Sequence, residues 1–112
     1  MKILKLLLPA LMVLGLSFST AWAAGQLATQ RGEAIFNDPD FAGISTSCSS
    51  CHHNGQGLKK VGEKTGFNIL GETEASLEDA VNYCIAIFGN GQAIDVDSPK
   101  MKDLTAYIKT LR

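Results

Sequence analysis

The sequence predicts a small all-α domain of three to four helices, and three observations support this prediction. Apolar residues recur at helical spacing in three separate stretches after residue 25. Residues that favour helix caps stand at the start of two of these stretches. No stretch alternates apolar and polar residues as a half-buried strand does, so no strand is expected.

The first predicted helix covers residues 26–37. Gly32 lets a second helix cross closely because it has no side chain, and Phe36 is the expected anchor of that contact. The segment Asn37-Asp38-Pro39-Asp40 is expected to end the helix. The apolar face of this helix consists of Ala28, Gly32, Ile35 and Phe36.

Two further helices are predicted in the second half of the chain. The first begins at Ser76, which resembles a capping box with Asp79, and Gly89-Asn90-Gly91 closes it. The second begins at Ser98, with Pro99 in the first turn, where proline is tolerated. One face of the first helix carries Leu77, Val81, Cys84, Ile85 and Phe88. The stripe of the second is Met101, Leu104, Ile108 and Leu111, with Tyr107 at its edge.

The most specific motif in the chain is Cys48-Ser49-Ser50-Cys51-His52, which has the pattern for covalent attachment of a c-type haem. On one helical turn, thiols at i and i+3 lie on the same face, so each can form a thioether to one vinyl group of the porphyrin. The following imidazole then points at the iron. The motif therefore predicts one haem c, held by Cys48 and Cys51 and ligated by His52.

Three other chemistries use cysteines at this spacing. A thioredoxin-like dithiol stands in a βαβ setting, which this sequence does not predict. A structural zinc site would draw on both cysteines, on Cys84 and on His52 or His53, but zinc ligands usually come as two separated pairs. A disulfide between Cys48 and Cys51 would close a small strained loop and leave the third cysteine without a mate. Haem attachment is favoured over these three.

The segment after the motif is expected to support the proximal histidine. Asn54-Gly55-Gln56-Gly57 is predicted to be a loop. A backbone carbonyl within residues 55–64 is expected to accept the second ring proton of His52 and so to set the tautomer of the imidazole. His53 points elsewhere, and its side chain is expected to be exposed to solvent.

Residues 1–23 have the features of a cleaved secretory signal peptide. Two lysines precede an apolar stretch from Leu6 to Phe18, and Ala21-Trp22-Ala23 has small residues where a signal peptidase cleaves. The alternative is an uncleaved membrane anchor, but the stretch is shorter than the roughly 20 apolar residues of a spanning helix and Pro9 interrupts it. Cleavage is favoured, and no stable membrane span is then expected. Residues 24–112 are predicted to form a single domain in the periplasm or otherwise exported, since bacteria attach haem to cysteines outside the cytoplasm.

The charge and size of residues 24–112 limit what the domain can do. The leader holds two of the ten basic residues and none of the eleven acidic ones, so the domain carries eight basic and eleven acidic residues, a net charge of −3. Such a mildly acidic domain is not expected to bind nucleic acid. An apolar core is marginal at this size, and a large planar cofactor would supply part of the interior.

With these residues placed, the chain resembles the class I cytochrome c family over nearly all of residues 24–112. The matching residues are Gly32 and Phe36, the haem-binding motif, and Leu104-Thr105-Ala106-Tyr107-Ile108 in the last helix. The resemblance implies a small cytochrome c fold around one covalent haem, with the first and last helices packed together at the glycine.

The chain departs from that family in two places. Val61-Gly62-Glu63 stands where a Gly-Pro usually follows the motif, and residues 91–93 contain no methionine where the second iron ligand is usually found. Met101 is the only methionine after the leader, but it lies on the stripe that is expected to face the core. Cys84 is a cysteine without a mate in an exported chain, and as a thiolate it would bind iron and lower the reduction potential.

A second resemblance favours Cys84 over Met101 as the distal ligand. Asn82-Tyr83-Cys84, together with the segment from Asp97 to Leu104, is similar to the haem domain of the dihaem subunit of the thiosulfate-oxidising (Sox) complex. This resemblance covers the C-terminal third of the chain and implies a cysteine as distal ligand. The remaining alternatives are an open or water-bound iron, or ligation by Asn90 or His53.

The sequence predicts an electron carrier and not an enzyme. One-electron transfer needs a held cofactor, a tuned potential and a docking face for redox partner proteins. No carboxylate pair or nucleophile with an adjacent base is evident. Two alternatives stay open: a sulfur-oxidation-related haem protein with a cysteine-ligated iron, and a gas-binding cytochrome with an open distal site.

Overall fold

The computed structural model describes residues 22–112 and shows a mostly helical chain with one small sheet. Most of the predicted signal peptide, residues 1–21, lies outside the described residues. Within residues 22–112, no helix combines the length and the apolar character needed to cross a membrane. This part of the chain has four helices, namely α1 over residues 22–36, α2 Cys48–Cys51, α3 Leu77–Ile87 and α4 Pro99–Ile108. Short 3-10 turns occupy Phe41–Gly43, His53–Gly55 and Val61–Glu63, and the strands are β1 Phe67–Ile69 and β2 Glu72–Glu74.

Helices α1 and α4 cross at Gly32, which confirms the expected close approach. A side-chain carbon on Gly32 would overlap the carbonyl oxygen of Asp103 and lie 2.8 Å from Cβ of Tyr107. The rings of Phe36 and Tyr107 pack at a centroid distance of 5.3 Å and an interplanar angle of 60°, a favourable tilted arrangement. Arg31 binds the Asp103 carboxylate through two hydrogen bonds of 2.7 and 3.0 Å. The two helices that are farthest apart in sequence are thus joined at one point.

The first turns of α3 and α4 are capped as predicted. The Ser76 hydroxyl accepts a 3.0 Å hydrogen bond from the backbone N–H of Asp79 and donates to the Asp79 carboxylate at 2.7 Å. The Ser98 hydroxyl accepts a 3.2 Å hydrogen bond from the backbone N–H of Met101, and Pro99 is the first residue of α4. These caps satisfy N–H groups that have no partner inside the helix.

The predicted stripe of α4 forms the centre of the core. Met101, Leu104 and Ile108 are buried. On α3, Leu77 and Ile85 are also buried, as expected for its apolar face. The connected cluster of buried side chains comprises Phe36, Phe41, Ile44, Val61, Leu77, Ile85, Leu104 and Ile108.

A β-hairpin corrects the prediction that the chain has no strands. Strands β1 and β2 pair in antiparallel fashion, with Phe67 opposite Glu74 and Ile69 opposite Glu72. Leu70 and Gly71 form the turn, and both have positive φ, 53° and 88°, as in the two-residue turns that match strand twist. Each strand has only three residues, which is too short to give a clear alternating pattern.

The connection between α3 and α4, residues 89–97, is named here the α3–α4 strap. After α3 it turns back, and the N–H of Gly91 donates to the carbonyl of Ile85 at 2.9 Å. The N–H of Gln92 donates to the carbonyl of Ala42 at 2.8 Å, and the N–H of Ser45 donates to that of Gly89 at 3.2 Å. The strap therefore connects α3 to the segment that leads into α2.

Candidate functional site

The segment Cys48-Ser49-Ser50-Cys51 forms a single helical turn, α2, and His52 follows it. Ser47 precedes it in an extended conformation, and the backbone N–H of His52 donates to the carbonyl of Cys48 at 2.9 Å. Cys48 is half-buried and packs against the core cluster, whereas Cys51 is exposed. Because the two cysteines are three residues apart on one turn, their thiols lie on the same face, as the attachment chemistry requires.

His52 is held in one tautomer by a neighbouring backbone carbonyl. Its Nδ1 atom lies 2.9 Å from the carbonyl oxygen of Gln56. A carbonyl oxygen can only accept, so Nδ1 carries a proton, and in the neutral ring the free lone pair is on Nε2. Gly57 lies against the ring with a φ of +82°, and a Cβ at this position would be 3.5 Å from Nδ1. The expectation that a carbonyl within residues 55–64 supports His52 is confirmed, and the residue is Gln56.

His53 lies apart from this arrangement, with an exposed side chain, as predicted. It lines a cleft of about 320 Å³ together with Glu33 on α1 and Tyr107 on α4. Burial, and then the charge of Glu33, raise the pKa of Tyr107. The two adjacent histidines therefore face different surroundings, and only His52 has its ring fixed by a described hydrogen bond.

Cys84 on α3 belongs to the same region as the two motif cysteines. Burial raises the pKa of the Cys84 thiol, and the charge of Cys51 raises it further. Burial is also the main cause of the raised pKa of Cys48, to which the charges of Cys84 and Cys51 add. Each of these charge effects acts between two of the three cysteines, and charge interactions weaken with distance. Within residues 22–112, Cys48, Cys51 and Cys84 are not joined by a disulfide.

The apolar side chains of α3 are covered unequally by protein. Near its start, Leu77 is 9% exposed and Ala80 is 6% exposed. Near its end, Ile87 is 56% exposed and Phe88 is 54% exposed. Ile87 and Phe88 follow Cys84 by three and four residues, so these three side chains share one helix face. We call this surface the open end of α3.

Met101, the alternative distal ligand, is completely enclosed by protein, with an exposed fraction of 0%. It lies on the core stripe of α4 with Leu104. Asn90, a further alternative, is exposed in the α3–α4 strap and has a φ of +52°. Of the two leading distal candidates, Cys84 is therefore the one whose side chain is partly exposed and whose pKa is raised further by the charge of Cys51.

The donor groups at this site fit a haem. Two thiols on one turn, an imidazole with a free Nε2 and an adjacent uncovered apolar surface are what a covalently held porphyrin requires. The zinc alternative fits less well, because no group of three or more histidine, cysteine or acidic side chains within residues 22–112 is placed to hold a metal ion.

Two contributions to the site had little or no signal in the sequence. Gln56 acts through its backbone carbonyl, which every residue has, so its identity gives no indication of the role. Asn82 makes two hydrogen bonds to the α3–α4 strap, and its only signal in the sequence is its position two residues before Cys84.

Comparisons of the chain with known protein families, with curated proteins and with solved structures found no match.

Proposed function

We propose that this protein is an exported mono-haem c-type cytochrome that carries single electrons between redox partner proteins. In this proposal Cys48 and Cys51 hold one haem c through thioethers, and His52 is its proximal ligand. The observation that carries the proposal is the 2.9 Å hydrogen bond between His52 Nδ1 and the Gln56 carbonyl. It leaves the lone pair of Nε2 available to the iron, and the two thiols on the same turn are available to the porphyrin, which is the arrangement that holds a c-type haem.

The cytochrome c fold is part of the same proposal. The crossing of α1 and α4 at Gly32, with Phe36 packed on Tyr107, supports it, because this is the helix contact that the family resemblance implies. Export with removal of residues 1–23 is also proposed, on the composition of the leader.

The bound haem would supply an iron atom that is reduced and oxidised by one electron. The chain's own residues would set the reduction potential of that iron. The Gln56 carbonyl holds the proton on Nδ1 of His52, which orients the ring and makes Nε2 a stronger donor. Ile87 and Phe88 offer an apolar surface that would exclude water from one side of the site.

We assign the distal position to Cys84 in preference to Met101. Cys84 is half-buried on the open end of α3, and its pKa responds to the charge of Cys51. Met101 has no exposed surface, and moving it to a ligand position would open a hole in the core beside Leu104. A thiolate ligand would give a lower reduction potential than a thioether.

The position of Cys84 also favours a second candidate function, a sulfur-oxidation-related haem protein with a cysteine-ligated iron. The ferric absorption spectrum distinguishes cysteine from methionine ligation. We expect no methionine-to-iron charge-transfer band in the wild type. We also expect Cys84→Ala to change the ferric spectrum and Met101→Leu to leave it unchanged. The reverse pattern would transfer the role to Met101. A gas-binding function would require carbon monoxide to bind the ferrous wild type.

The test of the proposed function is covalent haem attachment. The full chain is expressed in a bacterium with a c-type haem attachment system, and the product is examined by its pyridine haemochrome spectrum and intact mass. We expect one haem per chain in the wild type and in the matched control Cys84→Ala. Cys51→Ala should lack normally attached haem, because one thioether is missing. A colourless wild type, or a fully coloured Cys51→Ala, would overturn the proposal.

A further inference from the structure

We propose that Asn82 is a positioning residue, which clamps the α3–α4 strap to α3 and thereby holds Cys84 towards the haem-binding turn. This inference rests on the proposed function, in which Cys84 is the distal ligand. It assigns to Asn82 no contact with the haem. Its evidence is a set of hydrogen bonds and close contacts that link α3, the strap and the segment preceding α2.

The clamp consists of two hydrogen bonds to one residue of the strap. The Nδ2 atom of Asn82 donates to the carbonyl of Ile94 at 2.7 Å, and the N–H of Ile94 donates to Oδ1 of Asn82 at 2.9 Å. Both groups of the carboxamide are therefore used, and the side chain is half-buried. No side chain of similar size except a carboxamide offers a donor and an acceptor in this way. Ile94 in turn packs against the core cluster.

The other end of the strap is hydrogen-bonded to residues 42–45, which precede α2. Hydrogen bonds join Gln92 to Ala42, and Ser45 to Gly89. The packing at this end is close and leaves no room for a side chain: a Cβ on Gly89 would lie 2.5 Å from Cγ2 of Ile44, and a Cβ on Gly91 would lie 2.6 Å from the Ala42 carbonyl oxygen. The strap is thus a bridge between α3 and the residues just before Cys48.

This bridge controls how far α3 can turn about its own axis. Three groups of α3 bind the strap, namely the side chain of Asn82 and the backbone carbonyls of Cys84 and Ile85. A sulfur atom about 5 Å from the helix axis moves about 2 Å when the helix turns by about 20°. Metal–ligand distances are held within about 0.2 Å. Loss of the Asn82 clamp is therefore expected to disturb ligation by Cys84 even though the ligand itself is unchanged.

The experiment measures how fast imidazole replaces the distal ligand in the ferric holoprotein. Asn82→Ala removes both hydrogen bonds, and we expect imidazole to bind on the order of tenfold faster than in the wild type. The matched control is Asn37→Ala. It also removes a side-chain amide that donates to a backbone carbonyl, but that carbonyl belongs to Glu33 on α1. This control should bind imidazole at the wild-type rate.

A double-mutant cycle separates positioning from a general loosening of the fold. Cys84→Ala alone should bind imidazole rapidly, and adding Asn82→Ala should cause no further increase. An equal increase in both backgrounds, a wild-type rate in Asn82→Ala, or a wild-type rate in Cys84→Ala would overturn the inference. If Asn82→Ala does not fold, Asn82→Asp takes its place in each comparison, because it keeps the acceptor for the Ile94 N–H and loses the donor. Failure of the proposed function is distinct, since the wild type would then contain no attached haem.

Discussion

Replacing Gly32 by alanine tests the helix crossing on which the arrangement of the domain depends. The added methyl group would overlap the Asp103 carbonyl oxygen, and it would lie 2.7 Å from the Asp103 carbonyl carbon and 2.8 Å from Cβ of Tyr107. These are backbone and Cβ atoms, which no rotamer change can move away. Helices α1 and α4 must therefore separate, and the packing of Phe36 on Tyr107 is disturbed with them.

The cost can be worked from opposing contributions to the free energy of unfolding. Overpacking costs about 1–3 kcal/mol, and a clash with backbone belongs at the upper end. Alanine regains about 1 kcal/mol of helix propensity relative to glycine. The net destabilisation is therefore about 2 kcal/mol, which lowers the melting temperature of a domain of this size by roughly 8–16 °C. Thermal unfolding of the purified protein, followed by far-ultraviolet circular dichroism, measures this change.

Gly25→Ala is the matched control, since it adds the same methyl group to the same helix. A Cβ at Gly25 has no other atom within 4 Å, so the melting temperature should be unchanged or slightly higher. The reasoning is refuted if Gly32→Ala melts at or above the wild-type temperature. It is also refuted if Gly25→Ala loses as much stability as Gly32→Ala.

Three further predictions concern stability. Leu70 is 74% exposed, and both Leu70 and the following Gly71 have positive φ. Because Asn-Gly is the favoured pair for such turns, Leu70→Asn should stabilise the hairpin by about 0.5–1 kcal/mol. An unchanged melting temperature would contradict the assignment of Leu70-Gly71 as the turn. Burial first, and Glu33 second, raise the pKa of Tyr107, so the unfolded phenol ionises at lower pH than the folded one. Tyr107 therefore contributes stability that is complete below about pH 10 and is lost as the pH rises above it. Denaturant titrations at alkaline pH should show that the free energy of unfolding falls less steeply with pH in Tyr107→Phe than in the wild type. Ser76→Ala removes a helix cap and should lower the free energy of unfolding by about 1 kcal/mol. Ser76→Thr keeps a hydroxyl group and should retain most of the wild-type stability. Equal losses of stability in both variants would show that the hydroxyl does not provide the stabilisation.

The features that the sequence predicted correctly are those in which the interacting residues are close in the chain or repeat at helical spacing. Ser76 and Ser98 cap their helices, and α2 forms one turn with its two cysteines in register. The hairpin was missed because Leu70 is an unusual residue at positive φ and the strands are short. The exposure of Phe88 was not foreseen either, since helical periodicity indicates which side chains share a face but not what covers each part of it.

The sequence by itself determined which reactive groups stand at α2, because the proposed attachment depends only on the spacing of Cys48 and Cys51 and on the following His52. Only the tertiary structure decided which groups surround them. It left Cys84, which lies 33 residues downstream of Cys51, half-buried on α3, and it enclosed Met101 in the core. The physical reason is range: caps and turns depend on neighbouring residues, whereas burial and charge interactions depend on packing between distant segments.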